Sequence, residues 1–288
     1  MKKKFWSYVL SFMFISASFM PYFRAQESEV VNYIALGDSI ASGYIPGKIH
    51  LDKDCYAYLL KSDMEKCENK IICYENVAVS GQPTQSLLLQ LQSLDLSNAD
   101  IITISIGSND ILIPFKNLIS TSLGCVSGNS IDEVANLFSQ VQKNGIYARY
   151  RLGRLMNILS DISNNDIIKE SANDIKNNID SIIKTIKEKN PSVKIILTNF
   201  YNPYECLEIE YARGFVESFN KIKEELNEYL QENAKENGYC IADISDLGKD
   251  AKLININLKG ENISFDPHPN KQGHQKIYEA IKKSGYNR

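Results

Sequence analysis

Histidine is scarce in this chain, which contains three histidines among its 288 residues. Cysteine is also uncommon, and no two cysteines form the close C-x-x-C pair that is typical of zinc sites. The six are Cys55, Cys67, Cys73, Cys125, Cys206 and Cys240. Because a zinc cluster needs more such ligands at closer spacing, we expect no metal at the functional site.

The chain also lacks an internal repeat and a low-complexity linker. Apolar residues make up 43% of the sequence and charged residues 23%, a composition typical of folded globular proteins. The length suits one domain of α/β size. We therefore predict a single folded domain over about residues 30–288.

The amino terminus has the features of a secretory signal peptide. Lysines at positions 2–4 precede an apolar run over residues 5–20, and more polar residues follow. We predict a leader at residues 1–25 that is removed after Ala25, which makes the protein secreted. Phe23 is a poor match to the small residue expected before a cleavage site, so an uncleaved membrane anchor is the alternative. No cysteine lies near this site to carry a lipid.

The mature chain is acidic. Loss of three lysines and one arginine with the leader reduces the basic residues from 32 to 28 against 35 acidic residues, a net charge of about −7. This charge argues against nucleic acid as a partner. In an exported chain, six cysteines also predict disulfides, although the sequence does not define their pairing. We expect a monomer.

Five short apolar runs predict strands, and segments with helical spacing separate them. The runs lie at residues 30–36, 73–79, 100–106, 193–199 and 239–242. Before the fifth run, a long helical stripe extends from Ala212 to Tyr229 and is expected to stop at Gly238. Apolar strands that alternate with helices indicate an α/β fold, in which helices cover both faces of a five-stranded parallel sheet as a three-layer sandwich.

The connection after the third strand is longer than one crossover helix requires. We predict a helical insertion over about residues 111–174, which either adds packing or forms a lid over the substrate. Arg149, Arg151 and Arg154 lie within it and form either a solvated face or a contact for an anionic substrate. A solvated face is the more common role of such charges.

Small polar turns follow the first three predicted strands. Ser39 follows the first, Gly81 the second and Asn109 the third, and parallel strands bring their carboxyl ends to one edge of the sheet. A serine at that edge can attack a carbonyl carbon, while the backbone N–H groups of Ser39 and Gly81 and the amide of Asn109 stabilise the oxyanion. Glycine at position 81 lets its N–H approach the substrate closely.

Such a serine needs a base, and the chain offers three histidines. His50 lies in an early loop, and His274 lies in the last helical segment, where docking of that helix is its more common role. His268 is the preferred base because Asp266 precedes it by two residues between stiffening prolines. In that turn the carboxylate can hold the imidazole Nδ1, and the other ring nitrogen then faces Ser39.

Each of these residues also has an ordinary structural role. Gly81 suits a turn, Asn109 a helix N-cap and His268 a surface position. Their joint occurrence favours the chemical roles. Asp38 and Asp110 are expected only to brace their turns through hydrogen bonds from backbone N–H groups.

The chain lacks the G-x-S-x-G serine elbow of α/β-hydrolases. Four short blocks instead resemble the SGNH or GDSL esterase/lipase family: GDSI from Gly37, VAVSGQ around Gly81, GSND from Gly107 and DPHPN from Asp266. They stand in the family's order and cover the chain from about residue 30 to the end, apart from the insertion.

The resemblance implies roles for five residues. Ser39 is the nucleophile, Gly81 and Asn109 are oxyanion donors, and His268 is the general base with Asp266 as its partner. The resemblance also implies a flavodoxin-like sheet, ester substrates, and no metal or organic cofactor. The acid departs from the family pattern, because it stands two residues before the histidine rather than three.

These observations favour a secreted serine esterase or lipase that hydrolyses carboxylic esters through an acyl-enzyme. Its substrate is either a lipid ester, received beneath an apolar lid at residues 111–123 and 147–159, or an O-acyl group such as acetate on an extracellular glycan. Transient contact with a membrane or cell wall is expected. The rival hypothesis is a non-catalytic surface-binding protein with the same fold.

Overall fold

A computed structural model describes residues 29–44, 53–66, 70–257 and 263–285. The predicted leader, His50 and Cys67 lie outside these ranges. Within the described ranges, no helix combines the length and the apolar character that crossing a bilayer requires.

A five-stranded, all-parallel sheet forms the centre of the molecule. Its strands are β1 (Glu29–Gly37), β2 (Lys70–Asn76), β3 (Ile101–Ser105), β4 (Lys194–Thr198) and β5 (Tyr239–Ala242). They lie in the order β2-β1-β3-β4-β5, with β1 paired to both β2 and β3. This is the strand order of flavodoxin-like folds. The predicted α/β class and the five-stranded parallel sheet are therefore confirmed.

Helices cover both faces of this sheet. In the described ranges they are α1 (Ser39–Ser42), α2 (Tyr56–Glu65), α3 (Thr84–Gln90), α4 (Ser108–Leu123), α5 (Ser130–Gln142), α6 (Ile146–Leu159), α7 (Asp166–Lys189), α8 (Arg213–Asn237) and α9 (Lys271–Lys283). Because successive side chains of a strand point to opposite faces, β1 contributes to two cores. Ile34 and Leu36 pack with α3 to α8, whereas Tyr33 and Ala35 pack with α1, α2 and α9.

The second strand begins and ends three residues earlier than predicted. The apolar run at 73–79 placed it too late, since the ladder pairs Val30–Ala35 of β1 with Ile71–Asn76 of β2. The strand lies at the sheet edge and its residues are exposed or half-buried. An edge strand does not need a continuous apolar run, so hydrophobicity alone located it poorly.

Four helices, α4 to α7, occupy most of the long connection between β3 and β4, and α4 to α6 lie within the predicted insertion. The predicted end of the insertion near residue 174 falls inside α7. This helix begins at Asp166, and the Asn165 side chain caps it by accepting a hydrogen bond from the Ile167 N–H. The inner faces of α4 to α6 share one apolar core with α8, so this segment is packed throughout its length.

A two-stranded antiparallel sheet lies near the carboxyl terminus and was not predicted. Its strands are β6 (Ile254–Asn257) and β7 (Ser264–Pro269). The expectation that Asp266 and His268 occupy a proline-stiffened turn is therefore wrong, since both lie in β7. The pairing register shifts between Ile254 and Asn255, and such an irregular two-stranded edge accommodates prolines that cannot donate to a ladder.

No disulfide joins any two of the five cysteines that the structure describes, which are Cys55, Cys73, Cys125, Cys206 and Cys240. Burial raises the pKa of the Cys206 thiol, which disfavours its reactive thiolate form. The predicted disulfides are thus not supported by these residues.

Candidate active site

A glycine at the end of β1 places the candidate nucleophile. Gly37 has φ +126°, and a Cβ at this position would lie 1.9 Å from the carbonyl oxygen of Ser105 in β3. The close approach also lets the Asp38 N–H donate to that carbonyl at 2.9 Å. The chain then turns directly into α1, whose first residue is Ser39, with 8% of its surface exposed.

Asp38 caps α1 from a fully buried position. Its Oδ1 accepts a hydrogen bond from the Ile40 N–H at 2.9 Å, as expected for a residue that braces the turn. Its Oδ2 is buried and has no hydrogen-bond partner among the described residues. Burial raises the pKa of Asp38 to about 7, although the Ile40 hydrogen bond and the charge of His268 oppose that rise.

Ser39, His268 and Asp266 form a continuous hydrogen-bonded chain. The Ser39 Oγ lies 2.9 Å from His268 Nε2, and His268 Nδ1 lies 2.6 Å from Asp266 Oδ1. An ionised carboxylate only accepts hydrogen bonds, so Nδ1 carries the ring proton and Nε2 accepts from the serine hydroxyl. The structure thus brings these three predicted residues together in the order that nucleophilic catalysis requires.

The strand geometry of β7 explains why the acid stands two residues before the histidine. Alternate residues of a strand share a face, so Asp266 and His268 both point toward Ser39. Phe265 points the other way and is buried against Phe138. Asp266 Oδ1 also accepts from the His268 backbone N–H at 2.9 Å, which closes a tight local contact.

This part of β7 is held by three contacts, none of which the sequence predicted. The Tyr201 hydroxyl donates to the Pro267 carbonyl at 2.7 Å, and the Asn255 side chain donates to the His268 carbonyl at 2.9 Å. The Tyr44 ring lies 4.6 Å from the His268 ring, centroid to centroid. Tyr201 follows the end of β4, so its place at the sheet edge was a usable signal, whereas Asn255 carried none.

Asn109 and Gly81 lie on neighbouring turns that contact each other. Asn109 Nδ2 donates to the carbonyl of Gln82 at 3.1 Å, which uses one of its two N–H groups and leaves the second for another acceptor. Gly81 has φ +80°, and a Cβ there would meet no atom within 4 Å. The left-handed backbone conformation at position 81, and not close packing by neighbouring residues, therefore favours glycine there.

Asp110 ties the two turns together. Its Oδ2 accepts from the Thr84 N–H at 3.0 Å and its Oδ1 accepts from the Thr84 hydroxyl at 2.6 Å. Burial raises the pKa of Asp110, and the two Thr84 hydrogen bonds lower it in part. The first turns of α3 and α4 are thus joined beside the site, which confirms the bracing contact expected of Asp110.

Ser39, Asn109 and His268 line one groove of about 640 Å³, counting its open mouth. Gly81 is not among the described residues that line it. The walls are mainly apolar and come from α4, from the segment after β4 and from α8; they include Ile111, Leu112, Phe200, Phe219, Ile222 and Leu226.

The segment 147–159, predicted as the second half of a lid, does not line this groove among the described residues. Its arginines lie elsewhere too. Arg149 and Arg154 are exposed, while Arg151 pairs with Glu133 at 3.3 Å and donates to the Leu123 carbonyl. These positions agree with a solvated, helix-bridging face.

His274 has the structural role that the sequence favoured. It lies fully buried in α9, and its Nδ1 accepts from the Tyr56 N–H at 3.4 Å. This contact docks α9 on α2.

The family model for the GDSL-like lipase/acylhydrolase family matches residues 35–276. The chain belongs to this family. As a GDSL-like acylhydrolase it is an ester hydrolase, and the matched range extends from β1 into α9. No curated protein sequence matches the chain.

Solved structures with the same fold support the architecture of this GDSL-like acylhydrolase. A lipase from a goat rumen metagenome is 20% identical with a TM-score of 0.54, covering 90% of this chain and 99% of its own. Phospholipase A1 from Streptomyces albidoflavus is 20% identical with a TM-score of 0.55, covering 88% and 98%. An extracellular lipase from Streptomyces rimosus is 18% identical with a TM-score of 0.55, covering 88% and 99%.

Proposed function

We propose that this acylhydrolase is a serine esterase or lipase that cleaves carboxylic esters through an acyl-enzyme. The observation that carries the proposal is the chain of contacts from Ser39 through His268 to Asp266, at 2.9 and 2.6 Å. Each group can perform its step from its present position, because a base must lie within hydrogen-bond reach of the proton that it takes.

Acylation begins when His268 Nε2 accepts the proton of the Ser39 hydroxyl and Oγ attacks the carbonyl carbon of the ester. The proton on Nδ1 stays with the imidazole, and the Asp266 carboxylate stabilises the imidazolium that forms. Negative charge develops on the carbonyl oxygen, and the second N–H of Asn109 with the backbone N–H groups of Ser39 and Gly81 stabilises it.

The tetrahedral intermediate then expels the alcohol, which takes the proton from His268 Nε2. Water enters, loses a proton to the same nitrogen and attacks the acyl carbon. Collapse of the second intermediate returns the proton to Ser39 Oγ and releases the carboxylic acid. One histidine thus acts as base and acid in both halves of the reaction.

The walls of the groove favour an ester with an apolar acyl chain. Side chains such as Ile111, Phe219 and Leu226 offer carbon surface beside Ser39, and burying apolar area there stabilises a bound alkyl chain. A glycan would need polar partners for its hydroxyl groups. A lipid or other lipophilic ester is therefore the proposed substrate class, ahead of O-acetylated glycan.

Hydrolysis of p-nitrophenyl butyrate by purified Ser39→Ala, compared with the parent, tests the proposal. We expect a loss of turnover of at least about a thousandfold, since the nucleophile is removed. Ser181→Ala is the matched control, because Ser181 lies half-buried on α7, away from the groove, and its hydroxyl donates to the Asn177 carbonyl of its own helix. Parental activity in Ser39→Ala would end the proposal, and acetate release from acetylated polysaccharide without butyrate hydrolysis would move the substrate to glycans.

We also propose that the enzyme is exported, on the strength of the basic and apolar segment at residues 1–25. Mass spectrometry of the medium and of the cell pellet tests this proposal. A secreted chain that begins at Gln26 is expected, and retention of the whole chain in the membrane fraction would favour an anchor.

A further inference from the structure

We propose that a buried ion pair between Lys223 and Glu205 ends the acyl groove and restricts the enzyme to short and medium acyl chains. This inference rests on the proposed function and adds a determinant of its substrate range.

Lys223 interrupts an otherwise apolar wall. Phe219, Ile222 and Leu226 line the groove from α8 together with Lys223, since residues three, four and seven positions apart share one helix face. Lys223 is the one lysine, arginine, aspartate or glutamate among the described residues that line the groove. An alkyl chain that follows this wall therefore meets a charged group.

The lysine is paired and mostly buried. Its Nζ lies 3.0 Å from Glu205 Oε2, and the two side chains are 10% and 15% exposed. Although burial raises the pKa of Asp243, hydrogen bonds from Ser245 and Asn199 and the charge of Lys223 lower it overall. With Glu205 in contact and Asp243 nearby, the ammonium is neutralised locally, so this end of the groove is not suited to bind an anion.

The sheet order separates this pair from the nucleophile. Ser39 follows β1, the groove crosses the end of β3 at Asn109, and Phe200 lies just past the end of β4. The Phe200 N–H donates to the Asn227 side chain of α8 at 2.8 Å, which fixes this helix beside the end of β4. Lys223 precedes Asn227 by four residues, about one helical turn, and therefore lies near the same strand end.

Two strand spacings of ~4.8 Å place the far wall roughly 10 Å from the end of β1. An extended alkyl chain with carbon–carbon bonds of ~1.5 Å advances about 1.3 Å per carbon along its zigzag, so roughly eight acyl carbons fill that distance. A longer chain would have to push apolar carbons against the ion pair or displace it, and both are unfavourable because a buried charge loses its partner or its remaining solvation.

The wild-type enzyme provides the first test, which needs no mutation. The specificity constant kcat/KM for p-nitrophenyl esters, measured below their critical micelle concentrations, should rise from acetate to about octanoate and then fall for dodecanoate. Each added methylene that fits should raise it several-fold. A value for dodecanoate equal to or above that for octanoate would overturn the inference.

The double variant Lys223→Met/Glu205→Gln provides the second test. It removes both charges at nearly constant side-chain volume, so neither partner is left buried and unpaired. We expect the ratio of kcat/KM for dodecanoate to that for butyrate to rise by about tenfold or more.

Lys176→Met/Glu225→Gln is the matched control. This pair has an Nζ–Oε1 distance of 2.6 Å, and neither member is among the described residues that line the groove. Its chain-length ratio should equal that of the parent. An unchanged ratio in the Lys223 variant, with butyrate hydrolysis retained, would refute the role of the pair, whereas absence of butyrate hydrolysis in the parent would refute the proposed function itself.

Discussion

Replacing Asp38 by asparagine should remove a pH dependence of stability that the buried carboxyl imposes. The side chain is fully buried, and Oδ2 has no hydrogen-bond partner among the described residues. Burial raises its pKa from 3.8 to about 7. The folded state therefore favours the protonated acid, whereas the unfolded chain releases that proton near pH 4.

The sign and size of the effect follow from these two pKa values. Because the folded pKa is the higher one, the contribution to stability is fully present below about pH 4 and is lost as the pH rises through about 7. A pKa raised from 3.8 to about 7 corresponds to about 4 kcal/mol of unfolding free energy. Asparagine keeps an acceptor for the Ile40 N–H but carries no charge at any pH.

Urea unfolding of the parent and of Asp38→Asn, measured at intervals from pH 4.5 to pH 8, tests this reasoning. The unfolding free energy of the variant minus that of the parent should increase with pH and level off above about pH 7. The exposed Asp132→Asn is the matched control and should show no such rise. A difference that stays constant across the range would contradict the account of a carboxyl protonated by burial.

Three further substitutions test the site. Asn109→Ala should lower kcat about a hundredfold with little change in KM, because its amide acts on the oxyanion; an effect confined to KM would contradict that role. Asn255→Ala removes the hydrogen bond to the His268 carbonyl and should lower kcat several-fold at unchanged KM; no change in kcat would refute a positioning role. Gly37→Ala should lower the unfolding free energy by at least about 3 kcal/mol in urea, and parental stability would contradict the close approach of β1 to β3.

The elements that local chemistry specifies were predictable from the sequence. Buried parallel strands such as β3 and β4 are continuous apolar runs, and their positions agree with the prediction to within one residue. The predicted end of α8 is also correct, because Gly238 takes φ +72° at its C-cap. α7 ends at Lys189, before Pro191, as expected.

Elements that depend on distant partners were not predictable. β6 and β7 are short and are stabilised by each other, and β7 contains two prolines, so neither strand has a local signature of its own. The error in β2 has a similar cause, since its register is set by β1. Ion pairs and hydrogen bonds such as Lys223–Glu205 join residues that only the folded chain brings together.

The candidate site was largely predictable because its residues follow strand ends or stand in recognisable blocks. The spacing of Asp266 and His268 was unusual for the family, yet the strand geometry of β7 places both side chains on one face, with Nδ1 and Oδ1 2.6 Å apart. The prediction of a turn there was wrong, but the predicted contact between the Asp266 carboxylate and the His268 ring is present.

Labelling with a fluorophosphonate probe tests most directly whether Ser39 is an activated nucleophile. Intact-mass and peptide analysis of the wild-type protein should show one phosphonyl group on Ser39, and His268→Ala should react far more slowly because the serine keeps its proton. A folded wild-type protein that remains unlabelled, or that carries the label on another residue, would contradict the account.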